Sequence, residues 1–514
     1  MTSIGFWTNA GHHPDRPAII DHEGTPLTYG ALLHRSNRLA RGLQQHGLRP
    51  GDAIAATLGN EASFLEVALA AGQIGLYLTP INVRLAAPEM AYIVEDCRAK
   101  IWVVSEAAAS GTRSAANGLQ SPPTMVAAGK VAGLETLDDI GNGQPDTPPA
   151  ERTAGQIMLY TSGTTGRPKG VRRPLPGVDP DTAAGLTAGL AMLFGIPTGA
   201  GVHLAAAPLY HSAPLALATA ALHLGHTVVL MDKWDGRLAL ERIEAHGVTS
   251  SFMVPTMFHR LLSLPDDDRN RFDPSSLRHV IHAGAPCPID VKRRMLEWWG
   301  PVLYEFYAAT EGGGTLARPD EWLQHPGTVG RPWPGAQIEI RDDDGQPCPP
   351  GQPGTVWIRS PIGEFEYHHD PAKTEAGRRN GFFTVGDIGY LNDDGWLFLN
   401  DRRDDVIVSG GVNIYPAEVE AALLSHPAVA DVAVFGVPDD EWGEAVKAAI
   451  ESRPGTEVGD RLAAELLDWC RPRLATFKQP RTIEFHPVLP RQENGKLARR
   501  LLRDPHWAGR PRRI

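Results

Sequence analysis

Between Leu159 and Gly170 the chain reads Leu-Tyr-Thr-Ser-Gly-Thr-Thr-Gly-Arg-Pro-Lys-Gly. Thr161, Ser162, Thr164 and Thr165 supply hydroxyl donors, and Gly163 and Gly166 let backbone N–H groups turn inward toward an anion. Lys169 adds a compact positive charge suited to phosphate oxygens. The apolar run Gln156 to Tyr160 before it reads as a strand, so the loop sits where a strand ends. The spacing is not that of the common P-loop, in which a second Gly is followed directly by Lys and then Ser or Thr. A surface turn explains the glycines but not the Pro-Lys-Gly step after so many donors. A strand feeding an anion-binding loop predicts an α/β architecture.

The rest of the chain agrees. Helical spacing runs from Leu27 to about Gly47, from Glu61 to Ala71 and from Glu89 to Arg98, and Ile101 to Val104 reads as a buried strand. Residues 106–155, rich in Ala, Ser, Gly and Pro, predict surface loops. Alternation resumes with strands at 228–231, 250–254, 279–281 and 302–306, and helices at 238–245, 257–264 and 290–299. From Ala336 to Asn400 the period becomes two, with turns at Asp344-Gly345 and Asp394-Gly395, predicting an antiparallel subdomain. Residues from about 403 onward mix strands and helices and end in the Gly-Lys turn Asn494-Gly495-Lys496.

Composition removes several functions. A net charge of -11 over 514 residues argues against a partner held by nucleic-acid phosphates. The four cysteines are far apart and form no CxxC pair, so neither a disulfide framework nor structural zinc is expected, and a reducing compartment fits. The N-terminus lacks the pattern of a signal peptide, and Pro214 to Met231, broken by His223 and His226, predicts a buried helix and strand with no membrane span. A cytoplasmic protein is expected; a homodimer stays open. Asp266-Asp267-Asp268 reads as a solvated helix-terminal turn, and the pairs His12-His13 and His368-His369 lack metal-ligand spacing.

Further motifs follow the loop in order: His282-Ala283-Gly284-Ala285-Pro286, Tyr307-Ala308-Ala309-Thr310-Glu311, Val385-Gly386-Asp387, Asp401-Arg402-Arg403-Asp404-Asp405 and Pro490 to Lys496. Together with the loop they closely resemble the signatures of the adenylate-forming superfamily of acyl-CoA synthetases, luciferases and peptide-synthetase adenylation domains. Around His282 to Thr315 the chain is most like bacterial fatty-acid–CoA ligases. The resemblance implies a large N-terminal AMP-binding region, residues 1–401, of wound mixed sheets with helices plus an antiparallel β subdomain. It also implies a small mobile α+β C-terminal domain, residues 402–514. Gly284, Ala285 and Pro286 would wall the adenine, Tyr307 would lay its ring on it, and Thr310 would lie near the α-phosphate. Glu311 would hold magnesium, Asp387 would grip both ribose hydroxyls beside Arg402, and Lys496 would be the mobile catalytic lysine. Asp404 would be the hinge.

The resemblance also makes chemical sense. A carboxylic acid is ionised near pH 7 and attacks the α-phosphate of ATP without a general base. The obstacle is bringing an anion to a polyanion, so Lys496, Lys169 and magnesium on Glu311 would offset the repulsion. Gly410, Gly411, Trp442 and Lys478 resemble a coenzyme A surface. His211, Ala213, Met253, Val254, Ala283 and Ala308 would make a mostly apolar acyl pocket, without the Asp that an amino-acid-activating domain carries near His211. The expected activity is ATP-dependent conversion of a hydrophobic acid to acyl-adenylate, then to acyl-CoA. An amide ligase or carrier-protein loader is the alternative acceptor reading, and a catalytically silent nucleotide-binding relative is a third.

Overall fold

The computed structural model describes residues 4–161, 168–402, 405–410, 412–492 and 495–509. Near the N-terminus, strands Ala53–Thr57, Tyr77–Pro80 and Ala99–Val104 pair in parallel within a six-stranded sheet. Every residue of Ala53–Thr57 is buried, as expected of a strand covered on both faces. Composition predicts loops across 106–155, yet the chain forms helix Ala109–Ala116 and strands Thr124–Ala127 and Glu135–Thr136, which extend this sheet. Thr124–Ala127 is too short for a period to stand out, and what fixes it is pairing with Ile101 to Val104, a contact invisible in local composition.

The phosphate-type loop joins two antiparallel strands, β1 (Leu159–Thr161) and β2 (Lys169–Arg172), with Lys169 opposite Thr161. Strand Glu366–Tyr367 completes this small sheet on the other side of β2.

Two helices follow. Asp179 caps α1 (Pro180–Leu193) by accepting from the Asp181 N–H, with Pro180 in the first turn. Its Gly- and Thr-rich sequence blurs the helical period, and sequence patterning leaves it out. The buried helix expected before residue 231 is α2 (Ser212–Leu224), which closes at the left-handed Gly225.

The large sheet has nine strands. At its centre β3 (Ser250–Met253), β4 (His279–His282) and β5 (Leu303–Ala309) run parallel and adjacent. Helix α3 (Ile289–Trp299) connects β4 to β5, and β6 (Gly312–Ala317) returns antiparallel along β5. The period-two region forms an antiparallel sheet as expected, including β7 (Asp387–Leu391) and β8 (Leu397–Arg402) around the Asp394-Gly395 turn. The C-terminal portion is α+β, with helices Pro416–Leu424 and Asp460–Cys470 covering a sheet dominated by the Val429–Asp439 and Gly443–Ser452 pair. It has its own core around Val419, Leu423, Val434 and Leu466. Among the described residues, no helix is long and apolar enough to cross a membrane.

Candidate active site

Three parallel strands end at one edge, where α/β sheets bind ligands. β3 leads into Val254, β4 into Ala283-Gly284-Ala285-Pro286, and β5 into the Thr310-Glu311 turn. Ser162, Gly163, Thr164, Thr165 and Gly166 of the loop, the expected hinge Asp404, and Gly411 lie outside the described residues. Thr161 and Lys169, which bracket the loop, face each other across β1 and β2.

The antiparallel sheet meets this edge. The Tyr307 phenol donates to Asp387 Oδ2 at 2.7 Å, and Arg402 Nε stands 3.5 Å from Asp387 Oδ1. Pairing of β7 with β8 sets Asp387 opposite Arg402, so the strand register itself assembles this pair. Glu311 accepts a 2.8 Å hydrogen bond from the Tyr367 phenol. Beside it, Arg173 donates from Nη2 to the Thr310 carbonyl at 2.8 Å. Arg173 and Tyr367 escape motif reading because their partners are more than fifty residues away. Lys169 lies 5.8 Å from the Tyr367 ring centre and beside Lys373; burial, then that second ammonium, pull its pKa down to about 8.

Lys496 arrives from the C-terminal portion. Gly495 adopts φ +77°, and a β-carbon there would lie 2.8 Å from Thr256 Oγ1 and 3.1 Å from Val254 Cγ2. Only glycine lets this turn rest so closely against the end of β3. Burial lowers the Lys496 pKa to about 8, Arg402 adds to the shift, and Asp387 and Glu311 oppose it. The structure thus brings Lys496, Glu311, Asp387 and Arg402 into one electrostatic neighbourhood. His211, at the start of α2, is held neutral by burial and by Lys496, which take its pKa to about 3. Its buried Nε2 has no hydrogen-bond partner among the described residues.

Along β5, alternation puts Tyr304, Phe306 and Ala308 on one face and Glu305 and Tyr307 on the other. The Phe306 ring meets the Phe194 ring edge-on at 5.6 Å, with the Phe252 ring 6.4 Å away. Phe194 and Phe252 are buried while Phe306 is half-buried, packed against the same core on the face that carries Ala308. Sequence reasoning missed Phe306. Strand alternation two residues before Ala308 is the signal that finds it. Met253 pairs in register with His282 and shares its face, opposite Phe252, and lies in the same apolar core as Val254 and Ala283. Ala213, one residue into the first turn of α2, packs on the same apolar core as Phe252 and Ala283.

On the C-terminal portion Gly410, at φ +58°, lies against Trp442: an added β-carbon would meet its ring at 2.5 Å. The Gly410 N–H donates to the Trp442 carbonyl, and Arg481 stands 5.5 Å from the half-exposed indole. Lys478 does not join them; its ammonium contacts both Glu418 oxygens at 2.7 Å. A surface cleft of about 580 Å³ around Arg41, Arg49 and Arg152 shares no residue with any of these motifs.

A strand-end edge flanked by the strands that bracket the Ser/Thr/Gly-rich segment, with a carboxylate–arginine pair and a lysine delivered from a second unit, fits an α/β enzyme built around a nucleotide. The chain belongs to the AMP-binding enzyme family, whose model matches residues 6–366, while that of the AMP-binding enzyme C-terminal domain matches residues 418–496. It is 34% identical to the fatty acid–[acyl-carrier-protein] ligase ScoC of Streptomyces coeruleorubidus, over 98% of this chain and 96% of that one. It is 35% identical to a feruloyl-CoA synthase of an Amycolatopsis species, over 96% and 97%. Its fold matches the amide bond synthetase McbA of Marinactinospora thermotolerans with a TM-score of 0.84 and 27% identity, over 97% and 98%. The protein is an AMP-forming ligase that uses ATP to convert a carboxylic acid to its acyl-adenylate.

Proposed function

We propose that the acid is hydrophobic, that Lys496 is the catalytic cation of the first step, and that the thiol of coenzyme A is the acceptor in the second. The substrate carboxylate, already ionised, attacks the α-phosphorus. An O–P bond forms as the bond to the pyrophosphate oxygen breaks. Lys496, with Asp387 and Glu311 facing it, carries positive charge to the place where negative charge accumulates. Asp387 and Arg402 orient the ribose, Thr310 lies at the α-phosphate, and Lys169 meets the outgoing phosphates. The Gly495 turn on Thr256 excludes water from the mixed anhydride. Magnesium suits the site, because it takes one or two carboxylates plus substrate phosphates and Glu311 is a single carboxylate held by Tyr367. When bound it would neutralise phosphate charge. The thiol then attacks the acyl carbon, the C–O bond to AMP breaks, and the thiol proton leaves to solvent.

Residues 402–514 would rotate about Asp404 between the two steps, removing Lys496 and presenting Gly410 and Trp442. The observation carrying the choice of acceptor is the Gly410–Trp442 contact, a flat half-exposed ring suited to an adenine, with Arg481 5.5 Å from its centre and paired with Asp439 at 3.1 Å. Incubation with ATP, coenzyme A and a panel of acids, with products identified by mass, tests this. Thioester formation supports it, and acylated amines or carrier protein without thioester overturn it. One observation favours that second acceptor reading: Lys478 is engaged by Glu418.

A further inference from the structure

We propose that Arg173 is a positioning residue for adenylation, holding the Thr310–Glu311 turn at a fixed place relative to the phosphate-loop strand. The inference rests on the acyl-adenylate reading of the site, and three contacts carry it. Its main chain is anchored from one sheet: the Tyr77 phenol, on a strand of the N-terminal parallel sheet, donates to the Arg173 carbonyl at 2.8 Å. The backbone continues from β2, whose first residue is Lys169 and whose Val171 packs in one apolar cluster with Tyr307 and Tyr367. The side chain crosses to a third sheet, where Nη2 donates to the Thr310 carbonyl across 137 positions of sequence. Arg173 therefore links all three sheets at the point where they meet.

What it holds is a tight turn between two antiparallel strands. β5 ends at Ala309 and β6 begins at Gly312, so Thr310 and Glu311 span the reversal. Turn carbonyls in such a place need a donor, and the Arg173 guanidinium supplies one to Thr310. Its Nη2 also lies 3.4 Å from where a β-carbon on Gly312 would sit, so the guanidinium fills the space behind the turn. The Arg173 charge stands near Glu311, which also accepts from the Tyr367 phenol at 2.8 Å. Arg173 Nε is buried and without a partner among the described residues, which commits the group to the turn and away from solvent. A lysine keeps the charge but loses the planar fork and its reach to a carbonyl.

The test separates positioning from general support. Arg173→Met and Arg173→Lys are compared with wild type in two assays: acid-dependent pyrophosphate release, and acceptor transfer from chemically supplied acyl-adenylate. The expected result for Arg173→Met is a roughly ten- to hundred-fold fall in kcat for pyrophosphate release, with the KM for the acid unchanged. Transfer from supplied adenylate and Tm stay near wild type, and Arg173→Lys recovers part of the loss. Equal falls in both half-reactions together with Tm, or a loss confined to KM, overturn the proposal. If Arg173→Met does not fold, Tyr77→Phe, which releases only the anchor of the Arg173 backbone, gives the same comparison: a milder fall confined to pyrophosphate release supports it, and unchanged release overturns it. Wild-type enzyme giving no acid-dependent pyrophosphate release with any acid refutes the underlying reading instead.

Discussion

At the scale of the residue, the roles proposed for two lysines predict the pH range of the first step. Lys169 and Lys496 both have folded-state pKa values lowered to about 8, so each is charged at neutral pH and loses its charge as pH rises past that value. The kcat/KM of adenylation reports the free enzyme and should fall on the alkaline side with a midpoint near 8 and a limb steeper than one proton allows. Lys496→Arg, which stays charged, should reduce that limb to the slope of one group. An unchanged slope would exclude Lys496 from the titrating pair. Stability runs the opposite way: a lysine whose pKa is lower in the folded state binds more protons when unfolded, so its contribution is lost as pH falls through 8 and grows toward pH 10.

At the scale of the element, β4, β5 and α3 are fastened by a buried ion pair. Lys292 Nζ on α3 meets Glu305 Oε2 on β5 at 2.6 Å and sits 4.6 Å over the Trp322 ring, while His282 Nε2 on β4 lies 3.6 Å from the same carboxylate. Burial pushes Glu305 up and Lys292 down, and each partner counters the shift of the other. Lys292→Met alone should lower stability by about 3–5 kcal/mol in denaturant unfolding, since it strands a buried carboxylate. Lys292→Met combined with Glu305→Leu should recover most of that loss, because the stranded charge is gone; no recovery would mean the pair does more than neutralise itself. Phe306 on β5 makes a different kind of prediction. Phe306→Ala should raise kcat/KM for long acids relative to compact aryl acids by roughly ten-fold or more, read from a panel graded by length. The same elements show what a sequence discloses. Motif order located the strand ends, Asp387, Arg402 and Lys496, because those side chains sit at fixed offsets within local segments. Phe306, Arg173, Tyr367 and the strand Thr124–Ala127 depend on which distant segment packs beside them, and the face that Met253 presents needs the strand register.

At the scale of the whole molecule, one guanidinium joins the two parts of the chain. Arg499, three residues beyond Lys496, contacts Asp405 at 3.0 Å and Glu420 at 2.8 Å, and stands 3.7 Å from Asp401 at the end of β8. Asp401 also accepts from the Ala417 N–H, and burial lifts its pKa to about 6 against the pull of Arg499. Three carboxylates therefore converge on one cation next to the expected hinge, in the arrangement that sets Lys496 near Arg402, Asp387 and Glu311. Arg499→Met should leave those carboxylates repelling one another and weaken this pose, lowering pyrophosphate release roughly ten-fold. Transfer from supplied adenylate should be spared. Parallel losses in both assays would count against a role in holding the pose.

The hydrogen bond from Tyr307 to Asp387 has a consequence for nucleotide choice. The carboxylate proposed to receive two sugar hydroxyls already receives a phenol, so nucleotide entry exchanges that phenol for one hydroxyl and adds only the second as a new bond. Affinity at this point is the difference between two similar partners, and the phenol can return wherever the incoming sugar lacks a hydroxyl. A 2′-deoxynucleotide thus leaves no stranded acceptor, and discrimination against it falls to the shape of the slot rather than to Asp387.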